Sequence, residues 1–243
     1  MKNFFIITIA IAALHLTGCK KNNYYDDSGT TNGKFNGTTM DYLKSKPEYF
    51  SSIVNIIRVA GLENALQNEQ VTFFAPADSS VNYLFRYVND RLRELGKTPI
   101  TSIDQVAPRL WTKYMSRYVF NFKKQLKDFP QVDFANLTTF SGQIYPAVNG
   151  TYMNIGAVYE SAFLGGTDGT PRTEIPYAGY RYLTISYLSS QYNPKDFATW
   201  RMARVASVNV ETNNGYVHVL RYATHYFGFD ESEFAEDIAF NNY

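Results

Sequence analysis

Glu160, Asp168 and Glu174 fall close together in the sequence, and two carboxyl groups flanking a sugar linkage are enough for glycosidase chemistry. The chain holds 22 acidic residues, so such groupings also arise by chance, and a glycoside-processing enzyme is the rival reading rather than the leading one. Metal chemistry has less behind it. Beyond the N-terminal His15 there are only His218 and His225, with no cysteine near them, whereas a zinc site takes three or four nitrogen or sulfur ligands. No Gly-x-Ser-x-Gly elbow is present and no glycine loop suited to phosphate occurs; Gly165, Gly166 and Gly169 read as turns. No metal and no cofactor is therefore expected. The stronger signal is aromatic. Aromatics make up 16% of the chain, and the stretch from Ala157 to Trp200 carries Tyr159, Phe163, Tyr177, Tyr180, Tyr182, Tyr187, Tyr192 and Phe197 before Trp200 closes it. Tyrosine offers a rigid ring with a polar tip and can stack on a sugar, and Tyr180 and Tyr182 share one face of a strand. Tyr177, Tyr180, Tyr182 and Trp200 are the expected ligand contacts.

Cys19 is the other residue with chemistry to offer. Lys2 followed by an apolar run from Phe4 to Leu14 reads as a secretory leader, too short for the roughly 20 apolar residues that span a bilayer. The run ends in Leu16, Thr17, Gly18 and Cys19, which resembles the bacterial site where a cysteine is alkylated with lipid and becomes the first mature residue. Residues 1–18 are thus expected to be removed, and the only cysteine of the chain becomes a membrane anchor, since two or more acyl chains together hold stably. Lys20 after the cysteine resembles lipoproteins sent to the outer membrane, and Asp26 with Asp27 loosely resembles an acidic tag for surface display. Of the 23 Lys and Arg the leader removes Lys2, leaving 22 against 22 acidic residues. A charge balance near zero argues against nucleic acid as a partner, because counterion release from its backbone demands a basic face.

The elements that must position these residues follow from periodicity. Residues 19–37 are polar and glycine-containing, the composition of a tether. Thr38 with Asp41 suits a capping box, and Pro47 opens a helix with Phe50, Ile53, Val54 and Ile57 on one face, ended by Gly61. Val71 to Phe74 reads as a buried strand. Asp78 or Ser79 can cap a longer helix with Val81, Leu84, Phe85, Val88 and Leu92 inward, closed by Gly96. A further helical stretch carries Val106, Leu110 and Met115, restarting at Pro108. Strands are then expected over Tyr118–Phe122, Leu137–Phe140, Gln143–Val148, Tyr152–Ile155, Tyr180–Tyr187 and Val205–Val210, the last turning through Asn213, Asn214 and Gly215 into Tyr216–Tyr222. Helices followed by antiparallel strands indicate an α+β domain, and residues 231–243 read as an acidic tail.

Three stretches in order carry a resemblance. Phe50 through Leu62 followed by VTFFAPAD at Val71 to Asp78, then Leu137 to Gly142, then VNVETNNGYVHVL from Val208 to Leu220 resemble the boxes of the fasciclin (FAS1) domain. The resemblance covers about Thr38 to Asp230 and implies a β-rich sandwich or wedge with helices packed against it. It also implies that His218 is structural, bonding neighbouring backbone. Two departures stand out. The family's Tyr-His pair is replaced by Arg117 and Tyr118, and the segment between Ala157 and Trp200 is additional, too long for an ordinary connection. The resemblance implies a non-enzymatic binding or adhesion module on a lipid anchor at the outer membrane, with a glycan or a neighbouring glycan-uptake protein as partner. A structural lipoprotein without a small ligand is the third alternative.

Overall fold

The computed structural model describes residues 33–166, 171–189, 196–221 and 225–240. Helix α1 (Thr39–Lys44) opens on the expected capping box: Asp41 N donates to Thr38 Oγ1 (3.2 Å) and Thr38 N donates to Asp41 Oδ2 (3.0 Å). Helix α2 (Pro47–Val59) begins at its proline and buries Phe50, Ile53, Val54 and Ile57. A short helix α3 (Glu63–Asn68) leads into strand β1 (Val71–Ala75), every residue of which is buried. Helix α4 (Asp78–Glu94) buries Val81, Leu84, Val88 and Leu92, while Phe85 is half-buried against the core. Its cap differs from expectation. Ala77 holds the capping position with no side-chain bond, and the Asp78 carboxylate instead accepts from Ser51 Oγ (2.7 Å), Ser52 N (3.0 Å) and Ile53 N (3.1 Å), tying α4 to α2. Helix α5 (Pro108–Met115) starts at Pro108, as its fixed φ favours.

Strand β2 (Val119–Phe120) is followed by β3 (Gln143–Pro146), β4 (Tyr152–Tyr159), β5 (Ala162–Leu164), β6 (Thr173–Ile175), β7 (Arg181–Leu188), β8 (Trp200–Thr212) and β9 (Gly215–Leu220). Seven of them form one sheet in the order β2-β1-β9-β8-β7-β4-β3, and β5 with β6 make a separate hairpin. All pairings are antiparallel except β1 with β9, which run parallel with Phe74 opposite His218. The class is α+β, with helices and one face of the sheet sharing a core. Gly215 shows why the β8–β9 turn needs glycine: a Cβ there would lie 1.9 Å from the Val71 carbonyl oxygen. Beside it, Asn214 accepts from Thr39 N (2.8 Å) and donates to the carbonyls of Leu66 (3.0 Å) and Glu69 (2.8 Å), so the turn staples α1 and α3 to the sheet.

Several expectations are corrected. Leu137–Phe140 is a turn rather than a strand, because Asn136 O accepts from both Thr139 N (3.1 Å) and Phe140 N (3.0 Å) and curls the chain locally. Order begins before Thr38: Gly33 O accepts from Glu211 N (2.5 Å) and Phe35 N donates to Glu211 O (2.8 Å), so residues 33–37 lie beside β8. Residues 231–240 are not a tail but helix α6 (Glu231–Phe240), whose Phe234, Ala235, Ile238 and Ala239 are buried. Those four repeat at helical spacing, and the acidic residues between them hide the stripe in a reading by composition. The segment from Ala157 to Trp200 is only partly additional, since its β7 lies inside the sheet between β8 and β4. Cys19 and the leader lie outside the described residues. No helix among the described residues is long and apolar enough to cross a membrane.

Candidate ligand-binding cleft

One face of the sheet carries Asn154, Gly156 and Val158 on β4, Tyr182, Thr184 and Ser186 on β7, and Trp200 and Arg204 on β8. Residues 130–142 lie across it, held by Val132 N donating to Ala157 O (2.9 Å), Ala157 N to Pro130 O (2.8 Å) and Asn154 Nδ2 to Ser141 O (2.9 Å). Close approach is possible because Gly156 has no side chain; a Cβ there would meet Val132 at 2.6 Å. Under this strap Val132, Leu137 and Trp200 make a small second core. Trp200 is 5% exposed, so the structure places it among the supports of the site and not among its contacts.

Beyond the strap the surface opens into a cleft of about 400 Å³ whose walls include Asp133, Phe134, Glu160, Glu174, Tyr177 and Tyr182. Tyr177 sits at φ 61°, a left-handed conformation that non-glycine residues seldom adopt. The turn aims its ring back at the strap: Tyr177 Oη donates to Asp133 Oδ2 (2.8 Å) and the ring meets Phe140 edge-on at 5.4 Å. Holding that proton on the Asp133 carboxylate raises the Tyr177 pKa. Tyr182 is half-buried, and desolvation raises its pKa. The Arg204 guanidinium lies over the Tyr182 ring at 3.7 Å and donates through Nη2 to Tyr180 Oη at 2.5 Å. One cation thus fixes Tyr180 and Tyr182 with their rings 5.8 Å apart and inclined by 32°. Tyr180 stands outside the cleft walls and is 57% exposed. Of the four expected contacts, then, Tyr177 and Tyr182 line the cleft, Tyr180 stands beside Tyr182, and Trp200 is internal.

No family model matches the chain, and no curated protein matches it. Among solved structures it is similar to a FAS1 domain pair from the insect cell adhesion molecule fasciclin I, at 16% identity and a TM-score of 0.44. The match covers 76% of this chain and 49% of that one, so the chain spans about half the length of the pair.

Of the carboxylates raised for catalysis, Glu160 and Glu174 both border the cleft, and Glu174 Oε1 accepts from Ser161 Oγ (2.5 Å); Asp168 lies outside the described residues. Asp133, Phe134 and Arg204 were not singled out from the sequence. Asp133 is 44 residues from the tyrosine it holds, a separation without periodicity to betray it. Among the described residues no group of three or more His, Cys, Asp and Glu could hold a metal. The histidines are structural in their geometry. His218 is buried, accepts at Nδ1 from Asn209 N (3.2 Å) and meets Lys124 O through Nε2 (3.1 Å), and burial lowers its pKa to about 4. His225 is buried against Tyr118, Nε2 to Oη 2.8 Å, and burial lowers its pKa to about 3. Arg117 is buried between the Tyr114 and Tyr187 rings, with its guanidinium donating to Gly228 O (2.6 Å) and to both Glu233 carboxylate oxygens (3.0 and 2.8 Å).

Proposed function

We propose that this chain is a non-enzymatic binding module of the outer membrane, related to FAS1 adhesion domains, anchored through Cys19 and taking a glycan in the cleft beside Tyr177 and Tyr182. The observation that carries it is the pairing of ring faces with carboxylates in one opening: Phe134, Tyr177 and Tyr182 with Asp133, Glu160 and Glu174. Aromatic faces take the C–H faces of a sugar, while carboxylates accept from its hydroxyls with charge-assisted bonds. Support for the FAS1 relationship comes from the boxes themselves, because Val71–Ala75 of the first and Gly215–Leu220 of the last are hydrogen-bonded neighbours in the sheet. The adhesion role of fasciclin I and a place beside a glycan-uptake system extend the proposal by analogy.

The test is calorimetric titration of neutral, amino and acidic oligosaccharides into the mature chain with Cys19→Ala, with chromatography of the sugar afterwards. Saturable binding without new sugar ends is expected. Tyr182→Ala should weaken it about fivefold or more, the scale of an interface anchor, while the melting midpoint holds. Turnover would make the protein a glycoside-processing enzyme, and absence of binding across the panel would leave a structural lipoprotein.

A further inference from the structure

The cleft beside Tyr177 and Tyr182 has a sign. Asp133, Glu160 and Glu174 all border it, and no lysine or arginine stands among its described walls. The side-chain oxygens of Asp133 and Glu174 meet neutral donors: Asp133 accepts from Tyr177 Oη (2.8 Å) and Ala135 N (2.9 Å), and Glu174 from Ser161 Oγ (2.5 Å). Among the described residues none of the three carboxylates takes part in an ion pair. Like charges gathered in one opening repel one another, and a positive ligand relieves that repulsion where a neutral one leaves it in place. A sugar hydroxyl satisfies a carboxylate oxygen. An ammonium satisfies it and offsets its charge as well, with a stronger bond.

The rings of the cleft favour the same ligand. Four line it, Phe134, Tyr159, Tyr177 and Tyr182, and two of these already carry a cation: the Arg181 guanidinium lies over Tyr159 at 4.0 Å and that of Arg204 over Tyr182 at 3.7 Å. Both guanidiniums rest on rings rather than on these carboxylates, so the acidic charge of the walls is left for a ligand. Phe134 packs on Phe197 with centroids 4.4 Å apart. Tyr177 is 37% exposed, has no cation over its ring among the described residues, and holds Asp133 at its hydroxyl. A ring face beside a carboxylate suits a ligand cation. We infer that the cleft selects a glycan carrying a protonated primary amine, an unacetylated amino sugar, its ammonium received by the Tyr177 face and the cleft carboxylates; this rests on the reading of the cleft as a glycan site.

β-linked tetramers of glucosamine, N-acetylglucosamine and glucose test it, because they present an ammonium, an acetamide and a hydroxyl at the same carbon. They are titrated calorimetrically into the mature Cys19→Ala chain at about pH 6, where ordinary carboxyl groups stay ionised. The glucosamine tetramer should bind about tenfold tighter than either other, the scale of a hydrogen bond to a charged group, and added salt should shrink that preference. Glu160→Gln and Glu174→Gln should each weaken its binding about fivefold, the upper end for an ion pair open to solvent, and leave the glucose tetramer unaffected. The two variants are independent, so either serves should the other fold poorly by circular dichroism. Trilysine offers the same ammonium without a sugar and should bind more weakly. Equal affinity for the three tetramers, all weakened by Tyr182→Ala, overturns the charge preference and leaves the glycan reading standing. A preference for the amine that survives both glutamine variants also overturns it, and trilysine binding as tightly as the glucosamine tetramer overturns the amino sugar in favour of a peptide. Binding of no tetramer overturns the inference and the glycan reading together.

Discussion

Acidification should weaken this fold through two imidazoles. His218 and His225 are both buried and their pKa values are lowered by desolvation to about 4 and about 3, against 6.5 for an imidazole in an unfolded chain. Below pH 6.5 the unfolded chain binds a proton at each histidine and the folded chain does not. Their contribution to stability is therefore complete above 6.5 and is lost as pH falls through the window down to about 4 for His218 and about 3 for His225. Between pH 7.5 and 5.0 each histidine should remove about 2 kcal/mol, from 1.36 kcal/mol per pH unit over the 1.5 units below 6.5. Both together remove about 4 kcal/mol, which for a domain of this size lowers the melting midpoint by roughly 8 to 16 °C. The lowered carboxylates, Asp41 and Asp230 among them, add to this chiefly below pH 5, so the window isolates the histidines. Urea unfolding at half-unit pH steps gives the slope directly. His218→Gln and His225→Gln should each flatten it by about half, whatever they do to stability at pH 7.5. A wild-type curve flat between 7.5 and 5.0 would refute the assignment of both imidazoles as buried and neutral.

Phe73→Ala and Phe74→Ala should each cost about 3 to 5 kcal/mol, because both rings are fully buried on opposite sides of β1; two unchanged thermal midpoints would undo the placement of that strand. Gly215→Ala should be as damaging or worse, since its Cβ can only be admitted by separating β1 from β9, and a normal melt would show the pairing to be looser than described. Cys19→Ala should release the protein from membranes in a fractionation of cells, and protease added to intact cells should degrade the native form if it is displayed outward.

The helical half was legible because its signals are local. Thr38 with Asp41, the prolines at 47 and 108, and the spacing of buried residues in α2 and α4 each depend on neighbours within one or two turns. What failed depended on partners far off in sequence. Asp78 looked like a cap and bonds α2 instead, and Leu137–Phe140 has the composition of a strand yet folds over the sheet, where Leu137 can join Trp200. The terminal helix was missed for a third reason. Its buried Phe234, Ala235, Ile238 and Ala239 are interleaved with Glu231, Glu233, Glu236 and Asp237, so average polarity concealed a clear stripe. Those same acids serve the docking, with Glu233 holding the buried Arg117 and Asp237 accepting from Lys113 Nζ and Tyr114 Oη, both at 2.7 Å.

The site was legible in part, and the division has a physical cause. Ring count located the right segment but could not distinguish scaffold from surface, because a sheet places alternate residues on opposite faces and either face can be covered by a distant loop. Trp200 is covered by residues 130–142 while Tyr182 on the adjacent strand lies just past their edge. The partners that orient the rings are charged residues with no motif of their own: Asp133 holds the Tyr177 hydroxyl and Arg204 spans Tyr180 and Tyr182. Preorganisation of this kind lowers the entropic cost of binding, so rings held from below by a strap and a guanidinium are better suited to a ligand than the same rings on a free loop.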